Sequence, residues 1–257
     1  MDKKKRTGKE KKLKRKEEIA RHKSYEEAIK RAYLKGDHLA DFPAFTEFNR
    51  NGISVTLESS RGSLLSSYMK EYIQNLLKIN MEGPYGIEWH EEEKVKGREM
   101  VEENALYIFV RLNQQGNDQE VGTIISKEKN IQTLWKGTGA PVVAFVQYRF
   151  VMEEELPVLY VYEIQLEDTI QGKGLGKFLM QLLELIARKN NMMAVVLTVK
   201  KRNEGAMRFY LNKLSYKISS TSPSKVDPLF CRNMQTVLMK FYARCSMLRP
   251  CLFLRIL

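Results

Sequence analysis

The sequence predicts an α/β fold in which a mixed β-sheet is flanked by helices. After residue 157, strand-like and helix-like segments alternate, as in sheets that carry helices on their faces. Before that point, a segment with apolar residues at helical spacing precedes two segments rich in Val, Phe and Tyr. The 257 residues, 43% of them hydrophobic, are enough to bury a full core. This length suits one domain with extensions better than two domains.

The first half of the predicted domain contains two helices and two strands. From Leu64 to Met81 the apolar residues recur at helical spacing, which predicts an amphipathic helix. Glycine and proline end this pattern between Asn80 and Trp89. The charged residues 87–103 are compatible with a short second helix, and residues 105–111 and 141–150 are typical of strands.

The second half follows in a clearer order. We predict a strand at 158–166, a glycine-rich turn, a helix at 174–189, a strand at 194–199, a helix at 205–214 and a strand at 216–219. The segment 112–140 is unusual, because connections beyond about 12 to 15 residues are uncommon in compact domains. The sequence leaves open whether this segment is unstructured or contains a small element of its own.

The net charge of +12 is concentrated at the two ends of the chain. Residues 1–23 hold twelve Lys/Arg and four Asp/Glu, a net of +8, and residues 225–257 hold six and one, a net of +5. The 201 residues between them have a net charge of 12 − 8 − 5 = −1. We therefore predict a basic arm at 1–23, a domain at 24–224 with 112–140 as an insertion, and a basic tail at 225–257.

The basic arm is too charged to pack in a core, which favours a solvated arm or an exposed helix. A nuclear localisation signal, or docking on nucleic acid or a ribosome, is one interpretation, and a solubilising tail is the other.

Several classes of protein are disfavoured by composition. No stretch approaches the roughly 18 to 20 apolar residues of a membrane helix, and the N-terminal residues lack the pattern of a secretory signal. The three cysteines, Cys231, Cys245 and Cys251, form neither a disulfide framework nor a zinc pattern. None of the three histidines lies beside a predicted core strand. We therefore expect no membrane span and no metal, and any acid–base chemistry must come from other residues.

The most informative motif lies between a predicted strand and a predicted helix, and consists of Gln171, Gly172, Lys173, Gly174, Leu175, Gly176 and Lys177. The start of a helix presents unpaired N–H groups and a partial positive charge, and glycines let a diphosphate approach them. A dinucleotide-binding motif would need a repeated βαβ unit, and a P-loop would need Ser or Thr in the place of Phe178. The segment predicts a phosphate cradle, although a tight turn alone remains the alternative.

This segment matches the Q/R-x-x-G-x-G/A motif of the GNAT superfamily of acetyltransferases, whose loop binds the pyrophosphate of acetyl-CoA. The surrounding sequence resembles the N-alpha-acetyltransferase 40 family, also called NatD. The closest matches are YVYEIQLE at Tyr160–Glu167, KGLGKFL at Lys173–Leu179, LTV at Leu197–Val199, Asn203 and SSTSPS at Ser219–Ser224. The basic start, Asn49–Gly52, and Asn80-Met81 with Tyr85 and Trp89 are also similar. The resemblance is loose over residues 1–112 and close over 141–228.

The resemblance implies an enzyme that transfers acetyl from acetyl-CoA to the N-terminal α-amine of histones four and two-A. The mature tails of these histones begin Ser-Gly-Arg-Gly, and the amine attacks directly in a ternary complex. The implied pantetheine contacts are Ile164, Gln165 and Leu166, the implied pyrophosphate loop is Gly172–Lys177 after Gln171, and Asn203 contacts CoA. The implied peptide contacts are Tyr85, Trp89, Tyr162, Thr198 and Thr221. Glu163 takes the place of the principal catalytic carboxylate.

The chemistry is also reasonable from the residues themselves. An α-amine has a pKa near 8, so about a tenth is free at neutral pH, and a carboxylate can remove the proton from the rest. Glu163 is suited to remove this proton; the alternative interpretation is that Glu163 is a structural residue in a salt bridge. Tyr210 is a candidate to protonate the departing thiolate, its alternative being helix packing. Tyr162 shares a strand face with Tyr160, an arrangement more usual in a core. Residues 153–155 are three glutamates that can face the substrate arginine or form a solvated turn.

The C-terminal part departs from the family. After Pro228 the family's closing strand and its peptide-binding tyrosine are missing, although the alternation in Met234–Tyr242 predicts a replacement edge strand. Two alternatives therefore remain: the same fold acting on other N-termini, on lysine or on a small amine, or an inactive basic protein that binds in the nucleus or on ribosomes. We expect a monomer that is present in nucleus and cytoplasm.

Overall fold

The structure, a computed structural model, describes residues 8–113, 134–226 and 238–244. The helices are α1 Gly8–Leu34, α2 Ser67–Tyr85, α3 Trp89–Met100, α4 Leu175–Lys189, α5 Glu204–Arg208 and α6 Pro223–Val226, and a π-helical turn, Phe209–Lys213, continues α5. The strands are β1 Glu47–Arg50, β2 Ile53–Arg61, β3 Leu106–Leu112, β4 Val142–Glu153, β5 Leu156–Leu166, β6 Ala194–Lys200, β7 Lys217–Ile218 and β8 Leu238–Arg244.

All eight strands form one sheet in the order β1-β2-β3-β4-β5-β6-β8-β7. The pair β5 and β6 is parallel, and the other neighbours are antiparallel. The predicted mixed sheet with flanking helices is therefore confirmed.

Each face of the sheet is covered by different helices. Helices α2 and α3 pack on the side that we call the front face, over the middle of the sheet, with a core made of Tyr72, Ile73, Leu76, Trp89, Phe109 and Phe145. Helix α4 and the end of α1 pack on the opposite, back face, with a core that includes Ala28, Ala32, Leu179, Leu183, Ile186 and Leu197. The hydrophobic effect of burying these apolar side chains drives this layering.

An irregularity in β5 shapes the middle of the sheet. Gln147 of β4 pairs with Glu163, but the next β4 residue pairs with Val161, so Tyr162 is an extra residue in a β-bulge. The parallel pairing of β5 with β6 ends at the same place, at Val161 with Leu197. Beyond this point β5 stays paired with β4 and β6 stays paired with β8, so the two strands separate and leave a groove.

Helix α2 differs from its prediction at both ends. It begins at Ser67, where the side chain of Ser66 accepts a hydrogen bond from the N–H of Met69 (3.3 Å). It then continues past the predicted end, through the glycine and proline, to Tyr85. Tyr85 is buried against Trp89, with ring centroids 5.9 Å apart. Tertiary burial here overrides the helix-breaking tendency of Pro84.

Other boundaries also shift. The predicted helix 205–214 is a short α-helix followed by a π-helical turn, and the predicted strand 216–219 contains two strand residues, Lys217 and Ile218. Residues 8–23 are helical and continuous with residues 24–34, so the predicted boundary between arm and domain lies inside α1. Strand β8 confirms a strand near Met234–Tyr242, but β7 flanks it, so it does not form the edge of the sheet.

Parts of three predictions lie outside the described residues. These parts are residues 1–7 of the arm, 114–133 of the insertion and most of the tail after residue 226. Within the ranges that the structure covers, no helix is long and apolar enough to cross a membrane.

Candidate active site

The separation of β5 from β6 produces a groove of about 960 Å³. Its walls come from the end of β5, the end of β6, the glycine-rich loop and the start of α5. Among the residues that line it are Ile164, Gln165, Leu166, Thr198, Asn203 and Tyr210. The parallel pairing ends beside this groove, so the backbone of β5 beyond the bulge has one edge paired with β4 and the other facing the groove. Such an edge can hydrogen-bond to an extended, amide-containing ligand.

The glycine-rich loop leads directly into α4 at one end of the groove. Gly172 and Gly174 have φ values of 73° and 89°, a left-handed conformation that favours glycine. Gly174 is the N-cap of α4 and provides no side-chain cap, so the first N–H groups of this 15-residue helix remain available. Gln171, Gly172, Gly174, Gly176 and Lys177 all line the groove. This arrangement suits a phosphate group.

Two members of the predicted loop do not place their side chains in the groove. Leu175 is fully buried in the back-face core, so only its backbone can serve a ligand. Lys173 is half-buried and is not part of the groove lining. Its carbonyl oxygen accepts a hydrogen bond from Nδ2 of Asn51 (2.8 Å), which connects the loop to the β1–β2 turn.

Polar side chains fix the β5 wall of the groove. Nδ2 of Asn80 donates to Oε1 of Gln165 (2.9 Å) and to the carbonyl oxygen of Leu166 (3.1 Å). Nε2 of Gln171 donates to the same carbonyl oxygen (3.0 Å). The side chain of Asn203 accepts from the N–H of Ala206 (3.1 Å) and caps α5, while the residue also lines the groove.

Glu163 lies just after the bulge and is buried, with 7% of its surface exposed. Its Oε1 forms an ion pair with Nζ of Lys96, which projects from α3. Its Oε2 accepts a hydrogen bond from Nε2 of Gln165 (2.8 Å). Burial is the largest single effect and lowers the pKa of Lys96. The charge of Glu163, the hydrogen bond to it and the effects of Tyr85 and Glu99 together outweigh burial, so the pKa of Lys96 is raised. Lys96 therefore remains an ammonium group beside the carboxylate.

Tyr85 faces the same part of the groove and lies between two ammonium groups. Nζ of Lys96 is 5.5 Å from its ring centroid and Nζ of Lys200 is 4.3 Å from it, both within cation–π range. Lys200 is buried and donates to Oε2 of Glu88 (2.7 Å). Burial raises the pKa of Tyr85 to about 12 against the lowering effect of Lys96, so its phenol is neutral at physiological pH.

Tyr162, the bulged residue, begins a partly exposed aromatic surface on the front face. Its ring centroid is 4.1 Å from Cζ of Arg149 and 5.1 Å from the ring of Tyr160. The hydroxyl of Tyr160 donates to Oγ1 of Thr198 across the gap between the strands (3.5 Å). Tyr160 and Tyr162 are half-buried and Thr198 is exposed, so this pair of tyrosines is not the closed core that its spacing suggested.

Two predicted peptide contacts lie outside the groove lining. Trp89 is buried behind Tyr85, and its Nε1 has no hydrogen-bond partner among the described residues. Thr221 is exposed and hydrogen-bonds to the side chain of Glu154 in the β4–β5 turn. Trp89 therefore packs against Tyr85 on the side away from the groove, and Thr221 contacts the acidic β4–β5 turn.

Tyr210 lies in the wall of the groove and packs against the back-face core. It is 5% exposed and stacks on Phe241 with centroids 6.0 Å apart. Burial, and to a smaller extent the charge of Glu163, raises the pKa of its phenol. The hydroxyl therefore stays protonated and can donate a proton but not accept one.

Comparison with known proteins decides the family of this site. The model of the "Acetyltransferase (GNAT) family" matches residues 73–216, more than half of the chain. The chain belongs to the GNAT acetyltransferase family. The match spans α2 through the strands and the glycine-rich loop to the residue before β7, and thus includes the whole groove.

Solved structures of this GNAT fold resemble the chain at low identity. The NatC complex bound to Gag peptide and CoA has 10% identity over 73% of this chain and 98% of that chain, with a TM-score of 0.43. PaiA N-acetyltransferase from Thermoplasma acidophilum in complex with coenzyme A has 14% identity, coverages of 72% and 98%, and a TM-score of 0.43. IAA acetyltransferase from Bacillus cereus has 12% identity, coverages of 74% and 99%, and a TM-score of 0.43.

As a GNAT acetyltransferase, the protein uses acetyl-CoA as its acetyl donor. The residues present suit this substrate, because the open N–H groups of α4 can receive a pyrophosphate and the free edge of β5 can pair with an amide-containing arm. The described part of this acetyltransferase contains no group of three or more His, Cys, Asp and Glu residues that could hold a metal ion.

The sequence assigned no role to four residues that shape this acetyltransferase site: Lys96, Lys200, Asn51 and Asn80. Lys96 follows Trp89 by seven residues and precedes Met100 by four, so helical spacing places it on their buried face. That signal was present in the sequence. Asn51-Gly52 is also a typical two-residue hairpin turn, with φ values of 54° and 76°. No local signal points to Lys200, which is recognised only from its contacts with Tyr85 and Glu88.

Proposed function

We propose that this acetyltransferase modifies the N-terminal α-amine of histone tails that begin Ser-Gly-Arg-Gly. The observation that carries the proposal is the position of Glu163, a buried carboxylate at the bulge where the groove meets the front face. Tyr85 and Tyr162 lie beside it on that face. The resemblance of Tyr160–Glu167 and Lys173–Leu179 to the NatD family supports this acceptor.

The donor side of the reaction is attributed to the groove. The first N–H groups of α4 bind the pyrophosphate, and the edge of β5 from Ile164 to Leu166 binds the pantetheine arm. Asn80 and Gln171 hold the carbonyl of Leu166, so this edge is rigid before a ligand arrives. A pre-ordered wall lowers the entropic cost of binding.

The acceptor amine requires a group that removes its proton. A carboxylate has about four lone-pair positions, so Glu163 can accept from Lys96, from Gln165 and from a substrate amine, directly or through water. In this scheme Lys96 is a positioning residue that orients the carboxylate. The deprotonated amine attacks the thioester carbonyl, the C–N bond forms and the C–S bond breaks. The N–H groups of β5 can stabilise the oxyanion.

The departing thiolate is protonated by Tyr210 in this proposal. Its phenol is held in the protonated form by burial and lies in the groove wall. The second proton, which the nitrogen loses when the tetrahedral intermediate collapses to the amide, restores the hydroxyl of Tyr210 through water, and the proton taken up by Glu163 returns to solvent before the next cycle. No covalent acyl-enzyme is needed.

An acidic environment around Tyr162 supports a basic acceptor tail. Burial is the main cause of the raised pKa of Tyr162; the charge of Arg149 lowers this pKa, and the charges of Glu99, Glu102 and Glu153 raise it. These carboxylates therefore lie within electrostatic range of the phenol, beside Arg149. The arginine of a Ser-Gly-Arg-Gly tail can bind among them.

A peptide assay tests the acceptor. The protein is incubated with acetyl-CoA and a peptide that begins Ser-Gly-Arg-Gly and contains an internal lysine, and with the same peptide blocked at its α-amine. We expect acetyl transfer to the free α-amine and none to the blocked peptide. A third peptide with Ala in place of Arg should react more slowly because it lacks the charge that the carboxylates bind. Transfer to the internal lysine of the blocked peptide would exclude the α-amine as the acceptor.

The inactive alternative has a different outcome. If acetyl-CoA raises the Tm of the protein but none of the peptides and none of a panel of small amines is acetylated, the protein is a binding protein with an acetyltransferase fold.

The proposed function also implies where the protein acts. We propose that it is present with its histone substrates in nucleus and cytoplasm, and that it acts as a monomer. Size-exclusion chromatography with light scattering tests the last point.

A further inference from the structure

The first half of α1 extends from the domain as an exposed helix. Every residue from Gly8 to Ser24 is exposed, whereas Ala28 and Ala32 in the second half are buried. The hydroxyl of Tyr33 hydrogen-bonds to both the N–H and the carbonyl oxygen of Phe150 (3.0 Å each). The helix is thus anchored at its C-terminal end, and its first 17 residues, about 25 Å at 1.5 Å per residue, face solvent.

Four lysines of this exposed part lie in one line. Lys9, Lys12, Lys16 and Lys23 are spaced by three, four and seven residues, which places them on one face of the helix. We call these four residues the lysine stripe. At 100° per residue, the stripe is about 150° away from the buried Ala28 and Ala32 and therefore points away from the domain.

The acidic residues of the exposed part lie off the stripe. Glu10, Glu17 and Glu18 occupy other faces, and the exposed Glu27, four residues after Lys23 on the same line, marks the end of the stripe. The ion pair of Lys14 with Glu18 and the contact of His22 with Glu26 also lie off the stripe. The four ammonium groups thus form a positive row about 21 Å long at 1.5 Å per residue, with the uncharged Ile19 and Ala20 between Lys16 and Lys23.

The chemistry of this face indicates its partner. A basic histone tail would be repelled by it, so the stripe does not serve the acceptor of the proposed reaction. A membrane-surface helix needs a broad apolar face, and Leu13 and Ile19 are the large exposed apolar residues between Gly8 and Ser24. Duplex nucleic acid carries about one negative charge per 1.7 Å of its axis, so a 21 Å row of cations spans many phosphates.

We propose that the lysine stripe of α1 is a binding surface for the phosphate backbone of nucleic acid. The contact is electrostatic and independent of sequence, because the stripe contains flexible lysines and no side chain that distinguishes bases. The surface is separate from the acetyl-transfer site. The inference therefore does not depend on the identity of the acceptor.

The test measures binding of the full-length protein to fluorescent duplex DNA and duplex RNA of about 20 base pairs, over a range of salt concentrations. The stripe variant is K9Q/K12Q/K16Q/K23Q. The matched control, K11Q/K14Q/R15Q/R21Q, removes the same number of charges from the opposite side of the same exposed helix. Circular dichroism verifies that both variants retain the helix, and an undiminished rise in Tm with acetyl-CoA verifies that both retain the catalytic domain.

The wild-type protein should bind with an affinity that decreases steeply with salt. The stripe variant should bind about 30-fold more weakly or worse, and the slope of log K against log salt should decrease by about 3.6 for four lost phosphate contacts on DNA. The control should lose less than about a third of that slope. A preference for DNA or for RNA identifies the source of the phosphates, and either supports the proposal.

Three results would overturn it. They are failure of the wild-type protein to bind either duplex, equal losses in the two variants, and displacement of the duplex by polyglutamate as effectively as by unlabelled duplex. Equal losses in the two variants would mean that the total charge of the helix, and not the lysine stripe, attracts the duplex. The third result would indicate an acidic protein as the partner.

Discussion

Lys96 of α3 and Glu163 of β5 form a buried ion pair at the point where β5 separates from β6. The pair joins the front-face helices to the strand that forms one wall of the groove. Glu163 has a second contact, from Gln165, so both of its oxygens are oriented before a substrate enters. A carboxylate held in this way keeps its lone pairs directed without reorganisation during the reaction.

Replacement of this carboxylate should abolish most of the activity. We expect Glu163→Gln to lower kcat/KM by about 100-fold or more, because general-base catalysis typically contributes 10² to 10⁴. Acetyl-CoA should still raise the Tm of the variant, because the phosphate loop is intact. The control is Glu184→Gln, which changes a half-buried glutamate bonded to Tyr216 (2.8 Å) outside the groove lining. Undiminished turnover in the Glu163 variant would remove this residue from the mechanism.

The role of Lys96 can be separated from that of Glu163. Lys96→Met leaves a buried carboxylate without its ion-pair partner, so we expect a loss of about 3 kcal/mol in the free energy of unfolding. Lys96→Arg keeps the charge and should recover much of both stability and kcat. Denaturant titration and steady-state kinetics measure the two effects. If Lys96→Met retains both wild-type stability and wild-type kcat, Lys96 has no positioning role.

The sequence predicts the groove better than it predicts the contacts inside it. The strand before Gln171 and the helix after Gly174 are both found, because local signals of apolar spacing and glycine content determine them. The bulge at Tyr162 is not predictable from such signals, since it depends on the register with β4. That bulge, and the end of the β5–β6 pairing beside it, are what open the sheet at Glu163.

Contacts between residues that are far apart in the sequence account for the other structural features that the sequence did not predict. Leu175 belongs to the recognised motif, yet its side chain lies in the core, because motif positions specify backbone geometry as well as contacts. Pro84 lies within α2 because burial of Tyr85 outweighs a local preference. Lys200 and Glu88 are 112 residues apart, and no local pattern predicts their hydrogen bond.

The hydrogen bond of 2.8 Å from Nδ2 of Asn51 to the carbonyl oxygen of Lys173 should support binding of acetyl-CoA. Asn51→Gly removes the amide but keeps the left-handed turn, since glycine accepts positive φ. We expect the Kd for acetyl-CoA to rise about fivefold to tenfold, as for the loss of one net hydrogen bond. Isothermal titration calorimetry measures it. Asn49→Ala, in the same hairpin, is the control, and an equal effect there would indicate a general loosening of the hairpin.

Stability should decrease in acid because of His38. Its Nε2 contacts the carbonyl oxygen of Ala32 (2.9 Å) and its Nδ1 contacts Nδ2 of Asn190 (3.2 Å), so the neutral ring has one acceptor and one donor as partners. Burial lowers the pKa of His38 from 6.5 to about 4. Between these two pH values the unfolded chain therefore binds a proton at His38 that the folded chain does not bind. The contribution of His38 to the free energy of unfolding is complete above pH 6.5 and is lost as the pH falls towards 4.

The substitution Asn190→Asp tests this cause of acid sensitivity. A carboxylate in place of the amide would favour the protonated ring, so the decrease in Tm between pH 6.5 and 4 should become smaller. Thermal unfolding in a series of buffers measures it. An unchanged pH profile would mean that other groups, and not His38, cause the loss.

A substitution at Tyr210 can distinguish a chemical role of this residue from a packing role. Tyr210→Phe preserves the stacking on Phe241 and removes the hydroxyl alone, so the free energy of unfolding should change little. If the phenol protonates the departing thiolate, kcat should fall about tenfold or more while the KM for acetyl-CoA stays near its wild-type value. Tyr216→Phe, which removes a hydroxyl bonded to Glu184 in the same aromatic cluster, is the control and should leave kcat unchanged. Equal kcat values for the wild-type protein and Tyr210→Phe would leave Tyr210 with a packing role, and the thiolate would then take its proton from water.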